Sequence, residues 1–192
     1  MLISLLLACT SPSTPAAPPH LSSTLLSTTF GPGANQLGLI RESESSPEAP
    51  GSLAVDADGR LYVLDAVHER VAVFQKGRLE ASIPLPNDTI EDFALLPDGD
   101  IAALDRLVDR TVYVVAPNGA VVSTAAVQGE HVDDGGMVTA IFADESGVWL
   151  EYYRGAQVRV MDAKGAPVER VTRPGVPMTN PATGATEFVR LR

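Results

Sequence analysis

The chain has 192 residues, of which 24 are Asp or Glu and 14 are Lys or Arg, so its formal net charge is −10. No apolar run approaches the roughly 20 residues that a helix needs to span a bilayer, which excludes a bundle of transmembrane helices. The basic residues are scattered singly among carboxylates, so the sequence predicts no nucleic-acid partner. Its only cysteine, Cys9, cannot form an intramolecular disulfide.

The N-terminus combines a short apolar segment with that cysteine. Residues 1–8 read MLISLLLA, and Cys9 follows directly. This arrangement resembles a bacterial lipobox, in which a small residue, here Ala8, precedes a cysteine that carries the lipid in the mature chain. The resemblance implies a signal-like segment over 1–8, lipidation at Cys9 and an extracytoplasmic place in the cell envelope, as an outer-membrane or periplasm-facing lipoprotein. The alternative is an apolar N-terminus with a buried or free cysteine.

The segment after Cys9 has the composition of a linker. Residues 10–19, TSPSTPAAPP, are all Ser, Thr, Pro or Ala. Such residues bury too little apolar surface to offset the entropy lost on ordering, so residues 9–23 are predicted to form an extended tether. A folded domain is predicted over 24–192, and its contact with the membrane would come through the lipid anchor alone.

Turn dipeptides recur along the predicted domain. Each contains glycine, which favours the backbone of tight hairpin turns, and the two series repeat roughly every 40 to 48 residues. The dipeptides are Asp58-Gly59, Asp98-Gly99 and Ser146-Gly147, then Lys76-Gly77, Asn118-Gly119 and Lys164-Gly165. The runs between them are short, β-branched and aromatic, as in Leu61–Leu64 and Val112–Val115, which is typical of strands. The pattern predicts an all-β fold, a partial or small β-propeller of about three four-stranded antiparallel blades, with units at about 50–88, 89–130 and 135–178.

Residues 30–77 carry a more specific pattern. Phe30-Gly-Pro-Gly33 is followed by Leu53-Ala-Val-Asp-Ala-Asp-Gly59, Leu61-Tyr-Val-Leu-Asp65 and Arg70-Val-Ala-Val-Phe74. This pattern resembles an NHL repeat, a type of propeller blade. The resemblance implies the propeller architecture. Members of that family bind proteins, peptides or RNA on one rim, and a minority of their relatives are enzymes. Glu69 and Asp109 replace the asparagine that usually precedes the family's arginine, so RNA binding is not expected.

Two Asp/Arg pairs occur at the same position of successive units. They are Asp65 with Arg70, and Asp105 with Arg110. Such pairs could mark a ligand site, but a position that repeats is more simply structural. Each arginine is therefore predicted to bridge adjacent strands by charge-assisted hydrogen bonds to its aspartate. The third unit has Glu151 in the corresponding place.

One acidic loop stands out as a candidate site for a ligand or metal. Glu130, His131, Asp133 and Asp134 fall within five residues and precede Gly135-Gly136. Imidazole and carboxylate groups are common metal ligands, although a solvated acidic loop is the alternative. No residue is predicted to be catalytic, because the sequence has no Gly-x-Ser-x-Gly motif, and no cofactor or resident metal is predicted.

These features together predict a lipid-anchored, non-catalytic binding or scaffold module with a protein or cell-envelope component as its partner. One alternative is a propeller hydrolase of the lactonase type, in which carboxylates in the central channel hold a cation that activates water. Another is a truncated gene fragment without independent function. Because rings of blades usually contain 4 to 8, three units predict an open arc that forms a homodimer or belongs to a longer reading frame.

Overall fold

The computed structural model describes residues 26–42 and 47–189. The predicted signal-like segment, Cys9 and the whole predicted tether lie outside these residues. Within them, all regular structure is strand except for two short 3-10 turns at Ala66–His68 and Gly135–Met137. The all-β prediction is therefore confirmed. None of the helical turns that the structure describes has the length and apolar character of a membrane span.

Three consecutive four-stranded sheets form the blades, and a two-stranded sheet follows them. Each blade is an antiparallel meander, in which neighbours in the chain are neighbours in the sheet. Blade 1 contains β1 (Leu53–Val55), β2 (Leu61–Asp65), β3 (Arg70–Gln75) and β4 (Arg78–Pro84). Blade 2 contains β5 (Asp92–Leu95), β6 (Ile101–Asp105), β7 (Thr111–Val115) and β8 (Val121–Ala126). Blade 3 contains β9 (Val138–Asp144), β10 (Gly147–Tyr152), β11 (Gln157–Met161) and β12 (Thr172–Arg173). The last sheet pairs β13 (Val176–Thr179) with β14 (Thr186–Val189).

Apolar side chains from facing sheets form one core between each pair of consecutive blades. Leu64 of blade 1 packs in the first core with Ile101 of blade 2. Leu104 of blade 2 packs in the second core with Leu150 of blade 3. Each of these four side chains is almost completely buried. Because burying such a side chain contributes roughly 1.5–3 kcal/mol, the stacking of blades stabilises the fold more than the pairing of any one hairpin.

Two of the predicted turn glycines also allow the blades to approach one another. Gly119 and Gly165 lie in the turns between the third and fourth strands of blades 2 and 3, with φ angles of 84° and 77°. A Cβ atom at Gly119 would lie 2.9 Å from the ring of Pro84 in blade 1, and one at Gly165 would lie 2.7 Å from Val114 in blade 2. These turns therefore require glycine both for the left-handed backbone and for the contact with the preceding blade.

The outer face of blade 1 is only partly covered. Leu37, from the segment before the blade, packs on Ala72 and Phe74. Leu53 and Val55 of β1 remain 69% and 50% exposed. Before blade 1, residues 26–30 form no strand, and a single bridge joins Phe30 to Leu37.

The first strands of the three blades lie side by side. Together with β13 they line a cavity of about 420 Å³, here called the axial cavity. Its lining is apolar apart from Asp144 and Arg173, which form an ion pair with a 2.5 Å Oδ2–Nη1 distance. The axial cavity is therefore lined mainly by aliphatic side chains.

Candidate functional site

The meander places two kinds of connection at opposite ends of each blade. The tight hairpins within the first and last strand pairs lie at one end, here called the turn rim. The connections from the second to the third strand, and from one blade to the next, lie at the other end, here called the loop rim. The second-to-third connections are called corners: residues 66–69 in blade 1 and 106–110 in blade 2.

The structure brings Asp65 and Arg70 together at the corner of blade 1. The Asp65 carboxylate is fully buried and accepts hydrogen bonds from Arg70 Nε at 2.9 Å and from the Gly38 backbone N–H at 2.9 Å. His68 Nδ1 lies 2.8 Å from the same carboxylate. The Arg70 guanidinium also donates to the carbonyl oxygens of Ala34 and Gln36. The pair thus fastens the segment before β1 to blade 1.

The structure does not bring Asp105 and Arg110 together, so the prediction that they form a bridging pair is wrong. Asp65 is paired across the ladder with Arg70, but Asp105 is paired with Thr111. The corner of blade 2 is one residue longer, and Arg110 takes the left-handed position, at φ 51°, that Glu69 holds at the same φ in blade 1. Its side chain points outward and donates to Gln128 Oε1 at 3.1 Å.

Neutral donors satisfy the Asp105 carboxylate instead. The Thr89 hydroxyl and the Val108 backbone N–H both donate to it, the latter at 2.9 Å. Blade 3 differs again, because Glu151 accepts from the Thr139 hydroxyl and is paired across the ladder with Gln157. The buried carboxylate recurs in all three blades, whereas the cationic partner does not.

The predicted acidic loop lies on the loop rim, but its side chains do not converge. Glu130 and His131 approach each other at 3.6 Å on the surface. The Asp134 side chain accepts from the Gly136 backbone N–H at 2.9 Å and so caps the short helical turn. The Asp133 main-chain carbonyl accepts a hydrogen bond from Gln128 Nε2. Nowhere in residues 26–42 and 47–189 do three or more His, Cys, Asp or Glu side chains lie close enough to share a metal ion.

A distant arginine holds this loop in place. The Arg170 guanidinium donates to main-chain carbonyl oxygens of the segment that precedes and enters the loop. The four acceptors are Ala126, Val127, Gln128 and Glu130. Burial lowers the pKa of the Arg170 guanidinium below its ordinary value, while the charge of Glu130 opposes that shift. Nothing in the local sequence of the loop indicates this contact, because Arg170 belongs to blade 3.

A concave surface of the loop rim lies between the corners of blades 1 and 2. It is a cavity of about 640 Å³, here called the loop-rim groove. Val67 of the first corner faces Leu107 and Val108 of the second across it, and the latter two are 52% and 65% exposed. Ile90 is buried at its floor. The groove therefore presents apolar walls directly to solvent.

Carboxylates surround these apolar walls. Four acidic residues line the groove, and none of the described lining residues is Lys, Arg or His. The four are Glu48, Glu69, Asp88 and Glu91. Arg106 Nε donates to Glu91 at 2.5 Å and neutralises its charge. The other three form no ion pair with any residue that the structure describes.

The sequence signal for the groove is the apolar pair Leu107-Val108, which interrupts an otherwise charged corner, Arg106 to Arg110. Two adjacent aliphatic residues beyond the end of a buried strand cannot both face the core, because successive side chains alternate. That pair could have been singled out from the sequence. The partner wall and the acidic residues could not, because they come from separate connections.

Carboxylates also meet on the turn rim, in a cavity of about 470 Å³ lined by Asp56, Asp98 and Asp144 from three blades. Two of them are held by arginines, since Arg60 Nε lies 2.6 Å from Asp56 and Arg173 Nη1 binds Asp144. Burial opposes ionisation of Asp56 and Asp144, but hydrogen bonds, mainly from Arg60 to the former and from Ser146 and Arg173 to the latter, outweigh it and lower both pKa values. The charges of Asp56 and Asp144 are therefore already neutralised by the protein's own arginines, whereas Asp98 forms no ion pair with any residue that the structure describes.

The aromatic cluster of blade 3 is divided between its interior and its surface. Trp149 is 5% exposed, and the Arg173 guanidinium carbon lies 3.8 Å from its ring centroid. Tyr153 is 63% exposed and contacts the edge of Tyr152 at a centroid distance of 4.6 Å. Trp149 is thus covered by a cation–π contact, while Tyr153 stands on the loop rim.

Comparison with known proteins gives matches among solved structures only. No protein-family model matches the chain, and no curated protein matches it. A virginiamycin B lyase from Staphylococcus aureus is 17% identical with a TM-score of 0.45, over 69% of this chain and 42% of that one. A catalytically inactive form of that lyase with quinupristin is 14% identical with a TM-score of 0.47, over 76% and 50%. BamB from Moraxella catarrhalis is 16% identical with a TM-score of 0.45, over 73% and 49%.

The chain thus spans no more than half the length of these proteins, which are β-propellers. This chain itself contains three four-stranded meanders stacked face to face around the axial cavity. The NHL type of blade remains a prediction from the residues. The chain is, on its own geometry, an all-β assembly of propeller blades.

Proposed function

We propose that the chain is a non-catalytic binding module of the cell envelope, anchored through a lipid at Cys9, that holds its partner on the loop rim. The observation that carries this proposal is the loop-rim groove, where aliphatic side chains are exposed between two rigid corners. Apolar surface that is exposed and concave on a stable scaffold is typical of a binding site. The NHL resemblance supports the same conclusion, because members of that family bind partners on one rim.

Other features of the loop rim extend the surface beside the groove. Met137 and Tyr153 are 39% and 63% exposed on the same rim. The acidic loop, held by Arg170, lies next to Met137 in the chain. In this proposal Glu130, His131, Asp133 and Asp134 form a charged flank of the binding surface and do not bind metal.

The hydrolase is the second candidate, because carboxylates of three blades do reach the turn-rim cavity. A cation held by Asp56 and Asp144 would have to displace Arg60 and Arg173 from them. The axial cavity, where a lactonase-type enzyme would hold its cation, is lined almost entirely by apolar side chains. Both observations favour the binding module over the enzyme.

A paired-variant capture experiment tests the module. The full chain is immobilised, incubated with a detergent extract of the producing cell's envelope, and the bound proteins are quantified by mass spectrometry. Leu107→Ser with Val108→Ser should reduce capture of the specific partner at least about tenfold, because truncating exposed anchors removes most of the binding energy. Val121→Ser with Val122→Ser is the matched control, since both valines are exposed on β8, outside the groove.

Three results would contradict parts of this proposal. If the groove variant and the β8 control captured equal amounts of the partner, the loop rim would not be the binding surface. Hydrolysis of lactones that depends on added calcium would favour the enzyme. If the chain showed no cooperative unfolding transition, the alternative of a truncated gene fragment without independent function would be favoured.

The lipid anchor and the predicted homodimer have their own tests. Cys9→Ser should move the chain out of the membrane fraction, and light scattering on the full chain measures whether it forms the predicted homodimer.

A further inference from the structure

We infer that the loop-rim groove binds an extended peptide segment in which lysine or arginine alternates with apolar residues. This inference rests on the proposed function and names the chemistry of the partner. The groove offers two kinds of contact at once, aliphatic walls and unpaired carboxylates at their edges. A ligand must complement both of them to bind well.

The walls require an apolar ligand surface. Val67 on one side and Leu107 and Val108 on the other are separated by the buried floor at Ile90. A small inorganic ion or a highly charged polymer would leave these side chains in water and gain nothing from them. A cavity of about 640 Å³ is within the range typical of ligand sites, which is roughly 300–1,000 Å³, so it admits a few side chains and not a folded domain.

The edges require positive charge. Glu48, Glu69 and Asp88 have no cationic partner among the residues that the structure describes, whereas Glu91 is paired with Arg106. A neutral apolar ligand would strip water from these carboxylates without replacing it, and an acidic ligand would be repelled. The net charge of −10 for the whole chain adds attraction for a basic segment at long range.

Rigid corners make this arrangement a preformed site. The Asp65–Arg70 pair fixes the first wall, and the hydrogen bonds of Asp105 to Thr89 and Val108 fix the second. The Thr89 contact also ties the second wall to the connection that carries Asp88. These groups are already held in place before the partner binds. The entropic cost of binding therefore comes from ordering the peptide segment, and not from ordering the groove.

Fluorescence anisotropy with labelled peptides and the full chain tests the inference. The probe is a short peptide that alternates lysine and leucine. Two companions replace every lysine by glutamate or every leucine by serine. The lysine–leucine peptide should bind, with an affinity that falls as salt is added, and each companion should bind at least about tenfold more weakly because it lacks one of the two contacts.

Charge reversal locates the site. Glu69→Lys with Asp88→Lys should weaken binding of the lysine–leucine peptide about tenfold, because rim charges change the electrostatic attraction. Glu80→Lys with Glu169→Lys changes the net charge equally, at exposed positions outside the groove, and should leave affinity within about twofold. Circular dichroism checks that all variants are folded.

Each other outcome overturns the inference. If both charge reversals weakened peptide binding equally, the peptide would be attracted to the net negative charge of the protein and not to the groove. If the lysine–serine peptide bound as tightly as the lysine–leucine peptide, or if spermidine displaced the lysine–leucine peptide completely, the groove would be a surface that attracts any polycation. If the lysine–leucine peptide fails to bind while capture from the envelope still depends on Leu107 and Val108, this inference is wrong and the proposed function stands.

Discussion

The corners of blades 1 and 2 carry the same Asp and Arg at the same spacing, yet they are built differently. In the first, Asp65 and Arg70 are opposite each other on paired strands and form a buried ion pair. In the second, one further residue turns Arg110 out to solvent and leaves Asp105 opposite Thr111. Ladder register, and not spacing along the chain, therefore decides which repeated residues meet.

This difference also shapes the candidate site. The shorter corner presents Glu69 and Val67 to the loop-rim groove, and the longer corner presents Leu107 and Val108. One wall is therefore partly acidic and the other is aliphatic. A groove between two identical corners would lack this asymmetry. The proposed partner matches it, because its basic residues suit the acidic wall and its apolar residues suit the aliphatic wall.

The largest expected effect separates the two arginines. Arg70→Ala should lower the free energy of unfolding by about 3 kcal/mol, because it leaves the Asp65 carboxylate buried without its cation. Arg110→Ala should cause no measurable change, because its side chain is exposed. Urea unfolding of the two variants measures both values. Similar losses would mean that Arg110 contacts Asp105 in solution.

Arg170→Ala should lower the free energy of unfolding by about 2 kcal/mol, because four main-chain carbonyls lose a charged donor. Hydrogen exchange should show faster opening of residues 126–131, while blade 1 keeps its protection. Arg154→Ala, at an exposed position of blade 3, is the control. Unchanged exchange in that segment would show that Arg170 does not hold it.

Replacing the two buried aspartates by asparagine should have unequal effects. Asp65→Asn should cost about 3 kcal/mol, because it removes the charge that faces a buried arginine. Asp105→Asn should cost about 1 kcal/mol, because its two partners are neutral and an amide oxygen still accepts from one of them. Thermal unfolding of the two variants compares these costs, and an equal loss would argue against the difference in partners.

The smallest effect appears only at alkaline pH. Burial, and then the hydrogen bond to Asp109, raise the pKa of Tyr113 from its ordinary value of 10.0 to about 12. Stability from this raised pKa is fully present below pH 10.0 and is lost as pH rises toward about 12, because the unfolded chain ionises first. Tyr113→Phe should flatten that decline in unfolding experiments. Asp109→Asn should lower the pH at which tyrosinate absorbance appears, and an unshifted titration would contradict the contact.

The fold was largely predictable because its signals are local. Gly59, Gly99 and Gly119 stand at positive φ in the turns where the sequence predicted them. The intervening β-branched runs form the predicted strands of the three blades. These patterns determine where strands start and end, and a meander follows when each turn is tight.

The candidate site was only partly predictable because it depends on tertiary placement. The extra residue in the corner of blade 2 cannot be seen without the ladder register, so Arg110 was assigned to the wrong partner. The acidic loop was identified as a segment, but the arginine that holds it lies 40 residues away from Glu130. The groove joins two corners and two connections whose proximity exists only after the blades stack.

Photo-crosslinking in the living cell tests the central claim, that the loop rim binds the partner, most directly. Val108→p-benzoylphenylalanine places the crosslinker on the groove wall, and Val122→p-benzoylphenylalanine places it on the exposed surface of β8. If the loop rim binds the partner, one dominant envelope protein should be crosslinked at Val108, this product should be lost with Glu69→Lys and Asp88→Lys, and none should form at Val122. The same products at both positions, or none at Val108, would contradict binding on the loop rim.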